Sequence, residues 1–185
     1  MGSIPTECIN YNRKLEINLD KRVEVRSTAK IYLATPWFNP EQKERVGKAS
    51  KLLSCNPTVA VVHFPFDYQY KDATIDNQNG VFGSLEWQVA TYQNDLSAMG
   101  TSDCGVFLYD LDNVDDGTAF EIGYMRSMGK PAIVVTFSHN EDVKVNLMIA
   151  RGATAFIDGD TDLEQLASYD FNHFPSNPVC THEVF

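Results

Sequence analysis

The amino-acid sequence predicts an α/β fold: a doubly wound, parallel five-stranded sheet of flavodoxin-like or Rossmann-like type, with helices on both faces. Five short apolar runs have the length and the β-branched and aromatic composition of buried strands. Segments with a helical spacing of apolar residues separate these runs, and strands that alternate with helices form parallel sheets with right-handed crossovers. The length of 185 residues fits one domain with a sizeable core.

The elements follow one another in a regular order. The predicted strands are the runs at residues 31–35, 59–64, 105–109, 132–137 and 154–157. Helices are predicted at 40–54, 85–96, 117–128 and 146–151, and a last short helix after the capping-box sequence at 161–164. Residues 30–185 therefore form a single α/β domain with an irregular tail from residue 170. Residues 1–29 form an N-terminal arm, whose alternating apolar residues suggest a hairpin.

Composition narrows the possible partners. The net charge is −10 and basic residues do not cluster, which argues against nucleic acid as a partner. No apolar run approaches the length that crosses a bilayer, and no secretory signal is visible. The four cysteines are scattered, so we expect reduced thiols, a cytoplasmic location and neither a metal site nor a disulfide framework.

The third predicted strand runs into a cluster of acidic residues, which are Asp110, Asp112, Asp115 and Asp116. Gly117 follows, and then a helix for which Asp116 is the predicted N-cap. This helix carries Glu121 among apolar neighbours, which is an unusual position for a carboxylate without a function. In an open α/β sheet the carboxyl ends of the strands bind ligands. Most acidic loops are nevertheless inert, and an inert loop is the alternative here.

The ends of the first two strands carry aromatic and polar residues. Trp37 and Phe38 follow the first strand, where no glycine-rich phosphate-binding motif occurs. Asp67 and Gln69 follow the second strand, in a polar segment at 65–83. Aromatic rings suit a planar base, and carboxylates can act on a sugar carbon as nucleophile and acid. Together these residues suggest cleavage of the N-glycosidic bond of a nucleoside.

Five sequence segments also resemble the nucleoside 2-deoxyribosyltransferases. These segments, in chain order, are KIYL at 30–33, FPFD at 64–67, ATYQNDL at 90–96, DDGTAFEIGY at 115–124 and NLM at 146–148. The resemblance covers residues 30–178. Residues 104–128, 146–152 and 175–178 look most similar to the purine-specific (type I) branch.

The resemblance implies a cofactor-free, ping-pong transfer of 2-deoxyribose between purine bases with net retention. By the motifs, Glu121 corresponds to the nucleophile that forms a covalent deoxyribosyl-enzyme, and Asp95 to the acid that protonates the departing base. Asp115 corresponds to a further active-site carboxylate, and Tyr32 to a hydrogen-bond donor to the nucleophile. Other positions of the predicted substrate site are Trp37, Phe38, Asp67, Gln69 and Gly117.

The resemblance further implies a homohexamer, a trimer of dimers with shared active sites. Asn146 and Met148 match residues that family members lend to a neighbouring subunit, at the 5′-hydroxyl of the sugar. Family members also place the C-terminal carboxylate near the site, which here belongs to Phe185. Two alternatives remain open: a hydrolase of 2-deoxynucleoside 5′-monophosphates and a non-catalytic nucleotide-binding module.

Overall fold

The structure is a computed structural model that describes residues 28–185. The predicted N-terminal arm therefore lies outside the described residues, apart from its last two positions. The strands are β1 (Ala29–Ala34), β2 (Val59–His63), β3 (Cys104–Asp110), β4 (Ala132–Phe137), β5 (Lys144–Val145), β6 (Ala155–Asp158) and β7 (Glu183–Val184). The α-helices are α1 (Pro40–Cys55), α2 (Leu85–Thr101), α3 (Asp116–Ser127) and α4 (Leu147–Gly152). Short 3₁₀ helices span Pro65–Tyr68, Tyr70–Asp72 and Leu163–Ala167.

The main sheet has five strands in the order β2-β1-β3-β4-β6, and all four neighbouring pairs are parallel. This confirms the predicted fold class. Strand order reverses between β1 and β3, which are direct neighbours in the sheet. In doubly wound sheets the crevice at such a reversal, beyond the carboxyl ends of the strands, is where ligands bind.

The hydrophobic core lies on both faces of this sheet because successive strand residues point to opposite sides. On one face, Ile31 and Leu33 of β1 pack with Leu53 of α1 and with the 3₁₀ helix at Leu163–Ala167. On the other face, Tyr32 and Ala34 pack with residues of α2, α3 and α4. Every residue of β3 and β4 is buried, as expected for strands covered on both sides.

Helix α3 begins one residue earlier than the sequence predicts. Its N-cap is Asp115, whose carboxylate accepts hydrogen bonds from Thr118 N at 2.7 Å and Thr118 Oγ1 at 2.8 Å. Asp116, the predicted cap, is the first helical residue. An N-cap side chain reaches the backbone three residues ahead, and Thr118 supplies a second donor to Asp115 through its hydroxyl.

Three further features differ from the predictions. The capping-box sequence at 161–164 leads into a 3₁₀ helix without a side-chain cap, and its N-cap is Asp162. The tail is mostly irregular, but β7 at its end pairs in parallel with β5. Cys55 is disulfide-bonded, so the prediction of reduced thiols is wrong for this residue, whereas Cys104 and Cys180 are free.

No helix among residues 28–185 is long and apolar enough to cross a membrane.

Candidate active site

Glu121 and Tyr32 form a close hydrogen bond at the centre of the candidate site. The Tyr32 hydroxyl donates to Glu121 Oε1 at 2.6 Å. Tyr32 lies in β1 and is fully buried, and Glu121 is a partly buried residue of α3. The sequence predicted this contact between residues 89 positions apart. It fixes one oxygen of the carboxylate and leaves the other available.

Two more carboxylates share a small cavity with Glu121. The cavity has a volume of about 120 Å³ and is lined by Asp95 of α2, Asp115, Gly117 and the end of β1. Gly117 allows a close approach here, because a Cβ at this position would lie 3.1 Å from Asp115 Oδ2. The structure therefore brings together the predicted residues Tyr32, Asp95, Asp115 and Glu121, which come from three separate elements.

Burial and neighbouring charges raise the pKa values of the titratable groups in and beside this cavity. Burial raises the pKa of Glu121 to about 7; the hydrogen bond from Tyr32 opposes this shift, and the charges of Asp95 and Asp115 add to it. Burial also raises the pKa of Asp95 to about 6. Burial and the neighbouring carboxylates raise the pKa of Tyr32, so its hydroxyl remains a donor. The raised pKa values keep a protonated fraction of these carboxyl groups closer to neutral pH, as an acid requires, while the hydrogen bond from Tyr32 favours the ionised form of Glu121, as a nucleophile requires.

This arrangement predicts that Glu121→Gln stabilises the fold at alkaline pH. The folded-state pKa of Glu121, about 7, lies above the ordinary value of 4.5, so ionisation of the folded protein costs stability. The cost is absent below the unfolded-state pKa and grows as pH rises toward 7 and beyond. At pH 8.5 the variant should be more stable than the wild type by on the order of 2–3 kcal/mol in urea denaturation, and the gain should shrink toward pH 4.5. The exposed Glu44→Gln is the matched control, and a gain that does not change with pH would contradict the assignment.

A larger aromatic cleft opens beside the carboxylate cavity. It has a volume of about 650 Å³, and its lining includes Trp37, Phe64, Phe66, Asp67 and Gln69. Trp37 stacks on Phe66 with ring centroids 4.9 Å apart and tilts toward Phe64 at 5.6 Å. Phe64 and Phe66 also line the carboxylate cavity. The two compartments are therefore contiguous: the larger one adds the rings of Trp37 and Phe82, and the smaller one adds the carboxylates of Asp95, Asp115 and Glu121.

Phe38 does not join this cleft. Its side chain is 81% exposed, whereas the preceding Trp37 is partly buried in the cleft wall. The sequence offered two adjacent aromatic residues at the end of β1. Of this adjacent pair, only Trp37 therefore lines the cleft.

Asn146 and Met148 lie apart from Glu121 within the chain. They line a second cleft of about 420 Å³, together with Tyr109, Asp116 and Phe185. Asn146 caps α4 by accepting from Met148 N at 2.9 Å, and Met148 is 75% exposed. The C-terminal Phe185 accepts at its carbonyl oxygen from Leu147 N at 2.9 Å, so the end of the chain lies at this second cleft.

Two other acidic residues of this stretch, Asp110 at the end of β3 and Asp112 in the loop after it, have structural partners. Asp110 is buried, pairs with Arg45 at 3.3 Å and accepts from Gln42 Nε2 at 3.0 Å. Asp112 accepts from Ser138 Oγ and from the backbone N–H of His139. Of the four acidic residues only Asp115 lines the cavity with Glu121.

Sequence reasoning missed Gln42, which connects the two loops that frame the site. Its buried Oε1 accepts from Phe38 N at 2.8 Å, and its Nε2 donates to Asp110. The same oxygen accepts from Asn39 N in a capping box at the start of α1. The spacing of Asn39 and Gln42 was the available signal for the cap, but the contact with Asp110 spans 68 positions and has no local signature.

No group of three or more His, Cys, Asp or Glu side chains within residues 28–185 is arranged to hold a metal ion.

Comparison with known proteins assigns a family to this fold and site. Residues 31–151 match the family model for nucleoside 2-deoxyribosyltransferases. A nucleoside deoxyribosyltransferase from Limosilactobacillus fermentum is 46% identical over 168 residues, which are 89% of this chain and 99% of that protein. A second one, from Lactobacillus leichmannii, is 31% identical over 77% of this chain and 89% of its own length.

A solved structure supports the same relationship. The 2-deoxyribosyltransferase from Bacillus psychrosaccharolyticus is 32% identical, with a TM-score of 0.67 over 82% of this chain and all of its own. The family model includes the site residues Tyr32, Asp95, Asp115 and Glu121 within its matched range. With this fold, these matches and their coverage, the chain belongs to the nucleoside 2-deoxyribosyltransferase family of transferase enzymes.

Proposed function

We propose that the protein transfers 2-deoxyribose between purine bases by a ping-pong mechanism, through a covalent deoxyribosyl-glutamate intermediate and with net retention. The observation that carries this proposal is the junction of the two compartments at Phe64 and Phe66. A nucleoside has a planar base joined to a sugar at one carbon atom. An aromatic cleft beside a carboxylate cavity matches these two parts, which supports a binding mode with the bond between them next to Glu121.

Glu121 is the nucleophile in this mechanism. Its free carboxylate oxygen attacks C1′ of the sugar, the C1′–N bond breaks, and the bonding electrons pass to the base nitrogen. Tyr32 donates to the other oxygen at 2.6 Å, which orients the carboxylate and lowers its pKa toward the working range. Nearby carboxylates stabilise the positive charge that develops on the sugar.

Asp95 is the acid and base of the exchange. Burial raises its pKa from the ordinary value for Asp to about 6, so a protonated fraction that can donate to the departing purine persists to higher pH. The incoming base then attacks C1′ from the face that the first base left, Glu121 departs, and Asp95 takes the proton from the new base. Two inversions give net retention, and no step requires a cofactor.

Asp115 has a positioning role in this proposal. One of its carboxylate oxygens accepts from Thr118 N and Thr118 Oγ1 and begins α3, the helix that carries Glu121. Its carboxyl group also lines the sugar cavity, where it is available to a nucleoside hydroxyl. The same side chain therefore connects the start of the helix with the substrate.

The hydrogen bond from Tyr32 predicts a change in the pH–rate profile. In Tyr32→Phe the pKa of Glu121 loses its main lowering influence and rises further above its ordinary value. The ionised nucleophile then becomes scarce at neutral pH, so the acidic limb of the kcat/KM profile should move to higher pH by about one unit.

Steady-state base exchange measured from pH 5 to 9 checks this shift. Tyr169→Phe is the matched control, because the Tyr169 hydroxyl donates to Pro175 O away from the site. A lower rate with the same pH profile as the wild type would show that Tyr32 does not act through Glu121.

We also propose a homohexamer, a trimer of dimers whose subunits share active sites. Asn146 and Met148 line a cleft separate from Glu121, which fits a role in a neighbouring subunit's site. Large apolar side chains on α2 and α3 are about half exposed or more in the single chain, namely Leu85, Val89, Tyr92 and Phe120. Apolar exposure of this kind marks association surfaces. Sedimentation velocity tests the assembly, and a monomer at micromolar concentration would contradict it.

Base exchange between two purines tests the central function. Incubation with deoxyinosine and adenine should yield deoxyadenosine and hypoxanthine. Release of hypoxanthine without deoxyadenosine would identify a hydrolase instead, and no turnover of any deoxynucleoside would identify a binding module.

A further inference from the structure

The side-chain amide of Gln69 is held by two hydrogen bonds at the wall of the aromatic cleft. Its Oε1 accepts from the indole Nε1 of Trp87 at 3.1 Å. Its Nε2 donates to the backbone carbonyl oxygen of Pro65 at 3.3 Å. Gln69 is partly buried, and among the described residues that line the cleft it is the one with a side-chain amide.

These two partners leave only one orientation for the amide. An indole N–H can only donate, so the atom that faces Trp87 must be the oxygen of Gln69. A backbone carbonyl can only accept, so the atom that faces Pro65 must be the nitrogen. A rotation of the amide by 180° would place an N–H group against the indole N–H and oxygen against oxygen, and both hydrogen bonds would be lost.

Trp87 is itself well anchored. It lies in the first turn of α2, where its backbone N–H donates to the N-cap Ser84 Oγ at 3.1 Å. Its ring packs against Phe82, with centroids 4.5 Å apart, and Phe82 also lines the aromatic cleft. The indole therefore forms a fixed support behind Gln69.

We propose that Trp87 is a specificity-determining residue: by orienting the amide of Gln69, it sets which order of hydrogen-bond donor and acceptor the cleft presents to the purine. This inference rests on the proposed function, in which the aromatic cleft binds the base. Trp87 acts through Gln69 and is a positioning residue. The amide retains one free N–H and one free oxygen lone pair for a ligand, at positions that cannot exchange.

The chemistry of purines makes such an orientation selective. A 6-oxopurine such as hypoxanthine presents an acceptor at O6 beside a donor at N1. A 6-aminopurine such as adenine presents the reverse, a donor at the amino group beside an acceptor at N1. An amide that can rotate pairs with either edge, whereas an amide held in one orientation pairs well with one edge and leaves the other unsatisfied.

The test is the ratio of kcat/KM for hypoxanthine and adenine as acceptors, measured with one common donor. The wild type should favour one of the two bases. Trp87→Phe keeps an aromatic ring against Phe82 and removes the N–H group. The kcat/KM of the favoured base relative to the other base should therefore fall by about fivefold or more, the effect of one well-placed hydrogen bond.

The double variant distinguishes this role from a structural one. In the Gln69→Ala background, Trp87→Phe should leave the ratio unchanged, because the amide that it orients is gone. An equal shift in both backgrounds, no shift in the single variant, or a wild type without preference between the two bases would overturn the inference while base exchange stands. Absence of exchange by the wild type would overturn the proposed function and this inference with it.

Discussion

Glu121→Ala should abolish base exchange, with a loss of at least about 10⁴-fold in kcat. The alanine variant lacks the oxygen that attacks C1′, and no other carboxylate is positioned by Tyr32 in its place. The fold should remain intact, because burial of this carboxylate works against stability at neutral pH. The alanine variant should still bind deoxyinosine, and calorimetry measures this binding.

The matched control for Glu121 is Asp112→Asn. Asp112 lies in the same acidic loop but accepts from Ser138 and His139, outside the carboxylate cavity. Its variant should retain exchange within about tenfold of the wild type. If Glu121→Ala retained more than a small fraction of the wild-type rate, the covalent mechanism would be wrong.

Asp95→Asn should slow exchange of ordinary purine deoxynucleosides by about 10²–10³-fold, the usual contribution of a positioned acid. The loss should depend on the leaving group. The base of 7-methyl-2′-deoxyguanosine already carries a positive charge and leaves without protonation, so the first half-reaction with this donor should be nearly unaffected. Rapid-quench measurement of base release from deoxyinosine and from the methylated donor gives both rates.

The comparison of the two donors separates the chemical role of Asp95 from a structural one. Distortion of the cavity would slow both donors alike. The pH dependence gives a further check: with deoxyinosine the wild-type rate should fall as pH rises through the pKa of Asp95 in the complex, and the asparagine variant should lose this dependence. Equal losses for both donors would show that Asp95 is not the acid.

Much of the fold follows from local sequence patterns. Apolar runs predicted the five strands of the main sheet, because buried parallel strands are apolar on both faces. The short pair β5 and β7 was not predicted, because two residues are too few for any periodicity to show. Its partners lie about 40 positions apart and meet only in the folded chain.

The candidate site was predictable only in part. Glu121 stood out because a carboxylate with apolar neighbours is unusual, and the structure places it where Tyr32 and two other carboxylates meet. The sequence did not distinguish Asp110 and Asp112, which stabilise the loop, from Asp115, which lines the cavity. That division depends on distant partners, such as Gln42 and Arg45 for Asp110.

The aromatic residues show the same limit. Trp37 and Phe38 were equivalent in the sequence, and the direction of the backbone after β1 decides which one faces the cleft. Trp87 was not recognised, because its contact with Gln69 depends on how the segment after β2 folds back on α2. Side chains that orient other side chains leave little trace in a single sequence.

Intact-protein mass spectrometry of enzyme quenched with deoxyinosine alone tests the central claim most directly. With no acceptor base present, the sugar should remain on the protein, and proteolysis should locate the added deoxyribosyl mass on the peptide that contains Glu121. Normal base exchange in the same preparation, without any deoxyribosyl mass on that peptide, would contradict the account.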